Sequence, residues 1–251
     1  MPTSPWSLAF RSGLYDLLVP INYDRSLQEA LIALDPQPTD HVLDVGCGTG
    51  RLILHMASHL RAGTHLTGVD IDESGISYAR QRARRLGVAD HATFVLGDMR
   101  NLTGLGSFDA AIAHFSTYTL PSDADRRIAL QQLARVLRPG AILASIKPNE
   151  GYRVRDIIDE ARRIEAKRQD ISLFARTVRQ HVLLRAAQWA MGDIERALHH
   201  GFFHRYTADE LTGYLREAGF RDIQIEQTYG GCAYRAIAKL PSTKNSIVAL
   251  N

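Results

Sequence analysis

The stretch that most constrains this chain is Val42-Leu43-Asp44-Val45-Gly46-Cys47-Gly48-Thr49-Gly50. A short apolar run rich in β-branched residues ends in glycines at alternate positions. Leu52, Ile53, Met56 and Leu60 then recur at helical spacing. The pattern predicts a strand over His41–Val45, a tight turn, and a helix over Gly50–Leu60. Glycine is needed where backbone takes a positive φ, or nears a ligand with no Cβ in the way. The helix beyond the turn offers free N–H groups and a partial positive end, where a carboxylate or phosphate can sit.

The same alternation continues. Thr64–Asp70, Ala92–Leu96, Phe108–His114 and Ala141–Ile146 read as further strands. Ile76, Ala79, Ala83 and Leu86 share one helical face that stops at Gly87, and Ser122 caps a helix over Asp123–Leu137. Strands alternating with helices predict a parallel sheet with right-handed crossovers. The order breaks after Lys147. Residues 151–204 hold no convincing strand and read as two or three inserted helices. Ile157, Ala161 and Ile164 share one face there, and Phe174, Val178 and Val182 another; Phe174 and Trp189 are read as core of this cap ahead of pocket wall. Thr207–Glu210 is a capping box. Asp222–Thr228 and Cys232–Lys239 are two more strands, close enough to pair antiparallel. Ahead of the first strand, Leu14, Leu17, Leu18 and Ile21 form one apolar face, and Leu27, Ala30, Leu31 and Leu34 a second.

Composition narrows the partners. Of 251 residues, 45% are hydrophobic and 23% charged, which suits a globular domain with an insert. A formal charge of +3 makes no case for nucleic acid. No apolar run reaches membrane-spanning length, so no membrane partner is expected. Met1–Phe10 does not read as a signal peptide. Cys47 and Cys232 are the only cysteines and form no CxxC pair, so a reducing, cytoplasmic location is expected.

The chemistry collects at the strand ends. Asp70 lies about twenty residues past Gly50, where a carboxylate meets ribose hydroxyls in doubly wound sheets. Its plainer reading is a helix cap, a job for which Asp72 and Ser74 are better placed. Asp70 suits nicotinamide and adenosylmethionine binding alike. The glycine spacing separates them. A dinucleotide pyrophosphate asks for G-x-G-x-x-G. Here the glycines alternate, and Asp44 precedes them inside the strand, where an acid suits an ammonium group. Asp98, plainly read as a turn residue after Gly97, can also accept from an adenine amine, with Met99 and Ile71 sandwiching the ring.

With these residues in place, the chain resembles the class I S-adenosylmethionine-dependent methyltransferases, similar to the small-molecule enzymes of quinone and natural-product biosynthesis. The matching stretches are Val42–Gly50, Gly68–Asp72 with Ser74–Arg80, Gly97–Leu102, Phe108–Leu120, Leu133–Ile146 and Tyr206–Phe220. The resemblance implies an α/β fold, a Rossmann-like doubly wound seven-stranded sheet with a helical cap insert. It divides the chain into an N-terminal helical lid (1–38), a core (39–150 and 205–240), the cap (151–204) and a flexible tail (241–251). It implies S-adenosyl-L-methionine as cofactor and S-adenosyl-L-homocysteine as product. Asp44, Gly46, Cys47, Gly48 and Gly50 would hold the methionine portion, Asp70 the ribose, and Ile71, Asp98 and Met99 the adenine. His114 and Phe115 would line the sulfonium side. The small-molecule subgroup often shows a His-His pair near Tyr118 and Thr119; this chain departs there.

The expected function is methyl transfer to a small-molecule acceptor, O, N or C, enclosed by the cap. A sulfonium methyl is already activated, so the protein mainly positions the acceptor in line and excludes water. A hydroxyl acceptor calls for a base; a resonance-activated carbon or a neutral amine does not. Tyr118, His114 and His200 are the candidate catalytic residues, and Tyr15 and Tyr23 could close over the cofactor. His199, His200 and His204 fall together, but no Asp, Glu or Cys completes a ligand pattern, so no metal is expected. Arg153, Arg155, Arg162, Arg163, Arg168, Arg176, Arg179 and Arg185 read as a solvated face; the sharper alternative turns one or two inward on an acidic acceptor. Three rivals stand: a cofactor-dependent cyclisation or rearrangement on the same fold, a nicotinamide oxidoreductase, and a non-catalytic partner of another enzyme. A homodimer is left open.

Overall fold

Strand β1 (His41–Val45) is buried at every position after His41. Such a run needs both faces covered, which is the condition for a parallel sheet. It pairs in parallel with β2 (His65–Asp70) on one side and β4 (Phe108–His114) on the other. β3 (Ala92–Leu96) extends the sheet beyond β2, and β5 (Leu137–Pro148) lies beyond β4. β6 (Arg221–Thr228) and β7 (Ala233–Lys239) form a hairpin, and β7 runs antiparallel to β5. The seven strands follow the order β3-β2-β1-β4-β5-β7-β6. Strand order reverses between β1 and β4, which opens a crevice at their carboxyl ends. The structure is a computed structural model describing residues 14–168 and 172–242; residues 1–13, 169–171, most of the expected tail and the Arg176 side chain lie outside the described residues.

Helices α1 (Leu14–Leu18) and α2 (Ile21–Leu34) precede the sheet, and α3 (Ile53–Arg61) follows β1. α3 starts later than the spacing predicts, because the chain from Gly50 to Leu52 first makes tighter turns, with Ile53 N–H on the Gly50 carbonyl. α4 (Glu73–Arg85) is capped by Asp72, whose carboxylate accepts from Ser74 and Gly75 N–H. α5 (Asp123–Val136) is capped by Ser122. β5 begins at Leu137, ahead of the expected Ala141. Arg138-Pro139-Gly140 stops the helix, yet Leu137 already pairs with Phe108, and the register slips before Ala110 meets Ile142. Proline has no N–H for a ladder, so it sits at the irregularity.

The insert comprises α6 (Val154–Ala166), α7 (Leu173–Val178), a π turn (Arg179–Leu183) and α8 (Leu184–His199). Ile157 and Ala161 are buried as their spacing requires. The second apolar face is a correction: Phe174, Val182 and Trp189 point outward, and α8 instead buries Leu184, Ala187, Met191 and Leu198. Leu17 on α1 is likewise exposed. α9 (Ala208–Glu217) returns to the core, capped by Thr207. Only half of its capping box forms, because the Glu210 side chain meets His204 instead. No described helix is long and apolar enough to cross a membrane.

Candidate functional site

The glycine loop is folded by its backbone. Gly46 (φ 75°) sends its N–H to the Val69 carbonyl at 2.7 Å, locking the loop to β2. A Cβ on Gly46 would stand 2.3 Å from the Ser116 Cβ, and one on Gly50 (φ 67°) would stand 2.8 Å from the Ala79 Cβ. Neither position admits a side chain: φ disfavours it and a neighbour fills the space. Cys47 is buried beneath the loop.

Asp70 holds this loop from the next strand. Its Oδ2 accepts from Gly48 N–H and its Oδ1 from Asp72 N–H, both at 2.8 Å. Helix capping falls to Asp72, as expected. Burial raises the Asp70 carboxyl above its ordinary value despite these bonds. Asp44 is more extreme. It is buried, accepts no hydrogen bond from a described residue, and its carboxyl is pushed up to about 7, by burial first and then by Asp70. A buried carboxylate without a partner is costly, and a cation would relieve it.

Asp98 lies at the end of β3, but its carboxylate is already engaged. Arg100 reaches it at 2.6 Å and bridges on to Asp125 at 2.8 Å, which holds the Asp98 carboxyl below its ordinary value. Met99 packs beside Gly46, and Ile71 is 43% exposed at the mouth of the loop. α1 folds onto the glycine loop. Tyr15 hydrogen-bonds Tyr23 at 3.3 Å and lies close enough to Asp70 to feel its charge. Asp16 takes hydrogen bonds from Thr49 and Arg51 at 3.1 and 3.2 Å and pairs with Arg82. Arg51 also grips Asp24 at 2.6 Å. The sequence reading missed this latch; its one clue was an arginine directly after the last glycine.

Across the crevice, the end of β4 carries His114 and Phe115. The His114 Nε2 lies 2.8 Å from the Ser26 hydroxyl, whose own proton goes to the Tyr23 carbonyl at 2.8 Å. The ring is therefore assigned as the Nε2–H tautomer, which leaves Nδ1 a buried acceptor with no partner. Burial lowers its pKa to about 3, so it is neutral at pH 7. Phe115 takes a positive φ, 45°, and so does Tyr229, at 57°, in the β6–β7 turn. Positive φ at bulky residues costs about 1–3 kcal/mol each and collects at functional sites. These two rings face each other at 4.9 Å.

Tyr118 sits in the short turn Thr117–Thr119, buried against Phe203 at 5.3 Å and Phe115 at 6.4 Å. Burial holds the hydroxyls of Tyr118, Tyr152 and Tyr229 well above their ordinary value, and none of them bonds a described residue. They are neutral hydrogen-bonding groups, not bases. The turn is held from below. Lys147, fully buried at the end of β5, meets the Thr117 hydroxyl and lies 5.3 Å from the Tyr206 ring centre, and Arg126 donates to the Leu120 carbonyl. Tyr229, Tyr152 and Lys147 carried no signal in the sequence, because each is placed by long-range packing.

The histidine group does not converge. His200 is exposed at the end of α8, whereas His204 donates its N–H to the Tyr118 carbonyl at 2.9 Å and sets its ring on Glu210. No cluster of three potential metal ligands occurs among the described residues. The insert arginines are mostly spent locally: Arg153 on Asp156, Arg155 and Arg162 on Asp159, Arg168 and Arg179 on buried Glu165.

Comparison with known proteins bears on the fold and the family. Residues 42–140 match the family model for a methyltransferase domain. An O-methyltransferase, cnsE, of Penicillium expansum is 36% identical over 121 residues, covering 48% of this chain and 42% of that protein. The match covers 42% to 44% of the first three such relatives, so it spans under half the length of those proteins. Among solved structures, the N-methyltransferase NodS from Bradyrhizobium japonicum superposes with TM-score 0.56 at 17% identity, covering 87% of this chain and 86% of that one. The cyclase SpnF does so with TM-score 0.58 at 18% identity, covering 88% and 82%. At such identities the structures speak for the fold alone. By sequence, residues 42–140 of this chain are similar to a methyltransferase domain, and its seven-stranded sheet has the Rossmann-like fold of the class I S-adenosylmethionine-dependent methyltransferases.

Proposed function

We propose that this protein transfers a methyl group from S-adenosylmethionine to a small-molecule acceptor held under the lid and the insert. The observation that carries the proposal is Asp44: a buried, unpartnered carboxylate beside a loop stripped of side chains. The residues present fit the cofactor. Asp44 would receive its ammonium, and the free lone pairs of Asp70 its ribose hydroxyls. Ile71 and Met99 would flank its adenine, and Asp98 would reach the adenine amine by giving up part of its hold on Arg100, which engages both of its oxygens. When bound, the cofactor supplies an electrophilic methyl group.

The chain's own residues do the rest by placement. Phe115 and Tyr229, both held at positive φ, form the wall against which an acceptor would lie. Tyr118 and Tyr152 offer neutral hydroxyls to orient it, and the His114 Nδ1 offers a lone pair. None of these groups removes a proton readily at pH 7. The acceptor is therefore one that arrives nucleophilic: an acidic hydroxyl already ionised, an amine, or an activated carbon. Tyr15 and Tyr23 exclude water from above. Cys47 and Cys232, both free and buried, suit the reducing cytoplasm proposed for it.

The test is incubation with methyl-labelled cofactor and a panel of small phenols, amines and enols. Label in an acceptor, with S-adenosylhomocysteine released, is the expected result. Cofactor binding with no label transferred to any acceptor, but with a substrate isomerised, would favour the cyclase-like alternative. No binding of either cofactor form would sink both.

A further inference from the structure

The outer side of the insert does not look like an ordinary solvated helix. Phe174, Val182 and Trp189 are 79%, 58% and 82% exposed. Scattered exposed hydrophobics need no explanation, but an aligned row does. Val182 and Trp189 are seven residues apart, close to two α turns. Phe174 and Val182 are eight apart, which at about 100° per residue would leave them some 80° out of line. The π turn Arg179–Leu183 lies between them. A π turn takes up one more residue than an α turn, so it rotates Phe174 back over Val182. The irregularity in the helix thus serves its outer face.

Charge on this segment is one-sided. From Leu173 to Gly192 the sequence has Arg176, Arg179 and Arg185 and neither Asp nor Glu; the acid that follows, Asp193, is paired with Arg196 on the same helix. Arg179 is paired with Glu165 across the insert. Arg185 is exposed between Val182 and Trp189 and forms no ion pair with a described residue. The inner side is fixed: α8 packs on α6 and on α1, and its Leu184, Ala187 and Met191 are buried. The exposed row is therefore not a core face awaiting a repacked helix.

We propose that this face docks on an anionic lipid surface, with Phe174, Val182 and Trp189 among the headgroups and Arg185 against their phosphates. Aromatic and aliphatic side chains flanked by unneutralised arginine are the chemistry that lies in such an interface. A second copy of the chain is disfavoured, because a two-fold contact sets the same patch against itself and brings like charges together. The docked helix leans on α1, so an acceptor dissolved in that surface would be presented beside the lid.

The full chain carrying Trp6→Phe keeps Trp189 as its sole indole. It is titrated, without cofactor, with vesicles of equimolar phosphatidylcholine and phosphatidylglycerol, and separately of phosphatidylcholine alone. The expected result is a blue shift of Trp189 emission and co-sedimentation with the anionic vesicles only. Phe174→Ser abolishes both. Arg185→Gln weakens binding about fivefold, the worth of one arginine near such a surface, and added salt weakens it in parallel. Unchanged melting temperatures show the variants folded; if Phe174→Ser melts early, Val182→Ser takes its place. The proposal is overturned by no binding to anionic vesicles, by equal binding to both vesicle types, or by a dimer in sedimentation equilibrium that Trp189→Ser dissociates. Because no methyl transfer is read, these outcomes are independent of the proposed activity.

Discussion

The two sides of the crevice are built by different means. On the β1–β3 side, main-chain groups set the geometry: Gly46 N–H on Val69, and Gly48 and Asp72 N–H on Asp70. On the β4–β7 side, large side chains do so: Phe115, Tyr118, Tyr152 and Tyr229 arrive from separate segments and meet as buried rings. The first side carries carboxylates and invites a cation. The second carries neutral phenols, which orient a ligand by hydrogen bonds and packing. A site divided in this way can keep one cofactor while changing its acceptor, since substitutions on the aromatic side leave the loop untouched.

The strongest way to break this comparison is at Asp44. Asp44→Asn should weaken S-adenosylhomocysteine binding at least about 100-fold in calorimetry, the range for losing one partner of a buried charge pair. Wild-type affinity should itself fall as pH drops below about 7, since protonated Asp44 no longer attracts an ammonium. Stability moves oppositely. The Asp44 carboxyl is raised in the folded state, so its favourable contribution is full below about pH 4 and gone above about pH 7. Asp44→Asn should therefore raise the melting temperature of the free protein at pH 8 and barely change it at pH 4. If binding survives the substitution, the cation site lies elsewhere.

Gly46→Ala comes next, because Gly46 is where the two sides touch. A Cβ there meets Ser116 at 2.3 Å on a backbone at φ 75°, which should cost about 2–3 kcal/mol in denaturant unfolding. Little change would mean the two halves are less tightly joined than the contact implies. Lys147 tests the aromatic side alone. Burial depresses its amine to about 7, so the stability it contributes is full above about pH 10.5 and lost as pH falls to about 7. Lys147→Met should stabilise the protein by about 1–2 kcal/mol at pH 6 and far less at pH 10; the same gain at both pH values would show that charge is not the cause. The smallest expected effect is at Tyr118 and Tyr229. Replacing either by Phe should lower kcat/KM for the acceptor about tenfold, the worth of one hydrogen bond, without changing cofactor affinity. A drop in cofactor affinity instead would erase the distinction between the sides.

The contrast also explains what could be read in the sequence. The loop and the Asp72 cap were legible because each is set by residues within a few positions of itself, and Asp44 and Asp70 because each stands at a strand end that the local pattern marks. All seven strands were placed, β5 with a late start because Arg138-Pro139-Gly140 signals a stop that tertiary pairing overrides. Tyr229 was invisible because nothing near it announces a positive φ; Tyr152 and Lys147 matter only once β5, the turn at Thr117 and the hairpin are side by side. Asp98 was given to adenine without sight of Arg100, two residues on. Apolar spacing on the insert was read as core. Periodicity shows that a helix has two faces but does not say which one looks inward.

The ties that Asp16 makes to Thr49, Arg51 and Arg82 have a consequence for timing. The described part of α1 is Leu14–Leu18, and all three grips on the Asp16 carboxylate would have to loosen for it to swing aside. Replacing used cofactor by fresh would then be clocked by ions that neither molecule touches. Since salt screens such contacts, the departure of S-adenosylhomocysteine in stopped-flow should quicken as ionic strength rises, and should be quick at every ionic strength in Asp16→Asn. Departure indifferent to salt would mean the route in and out does not pass beneath α1.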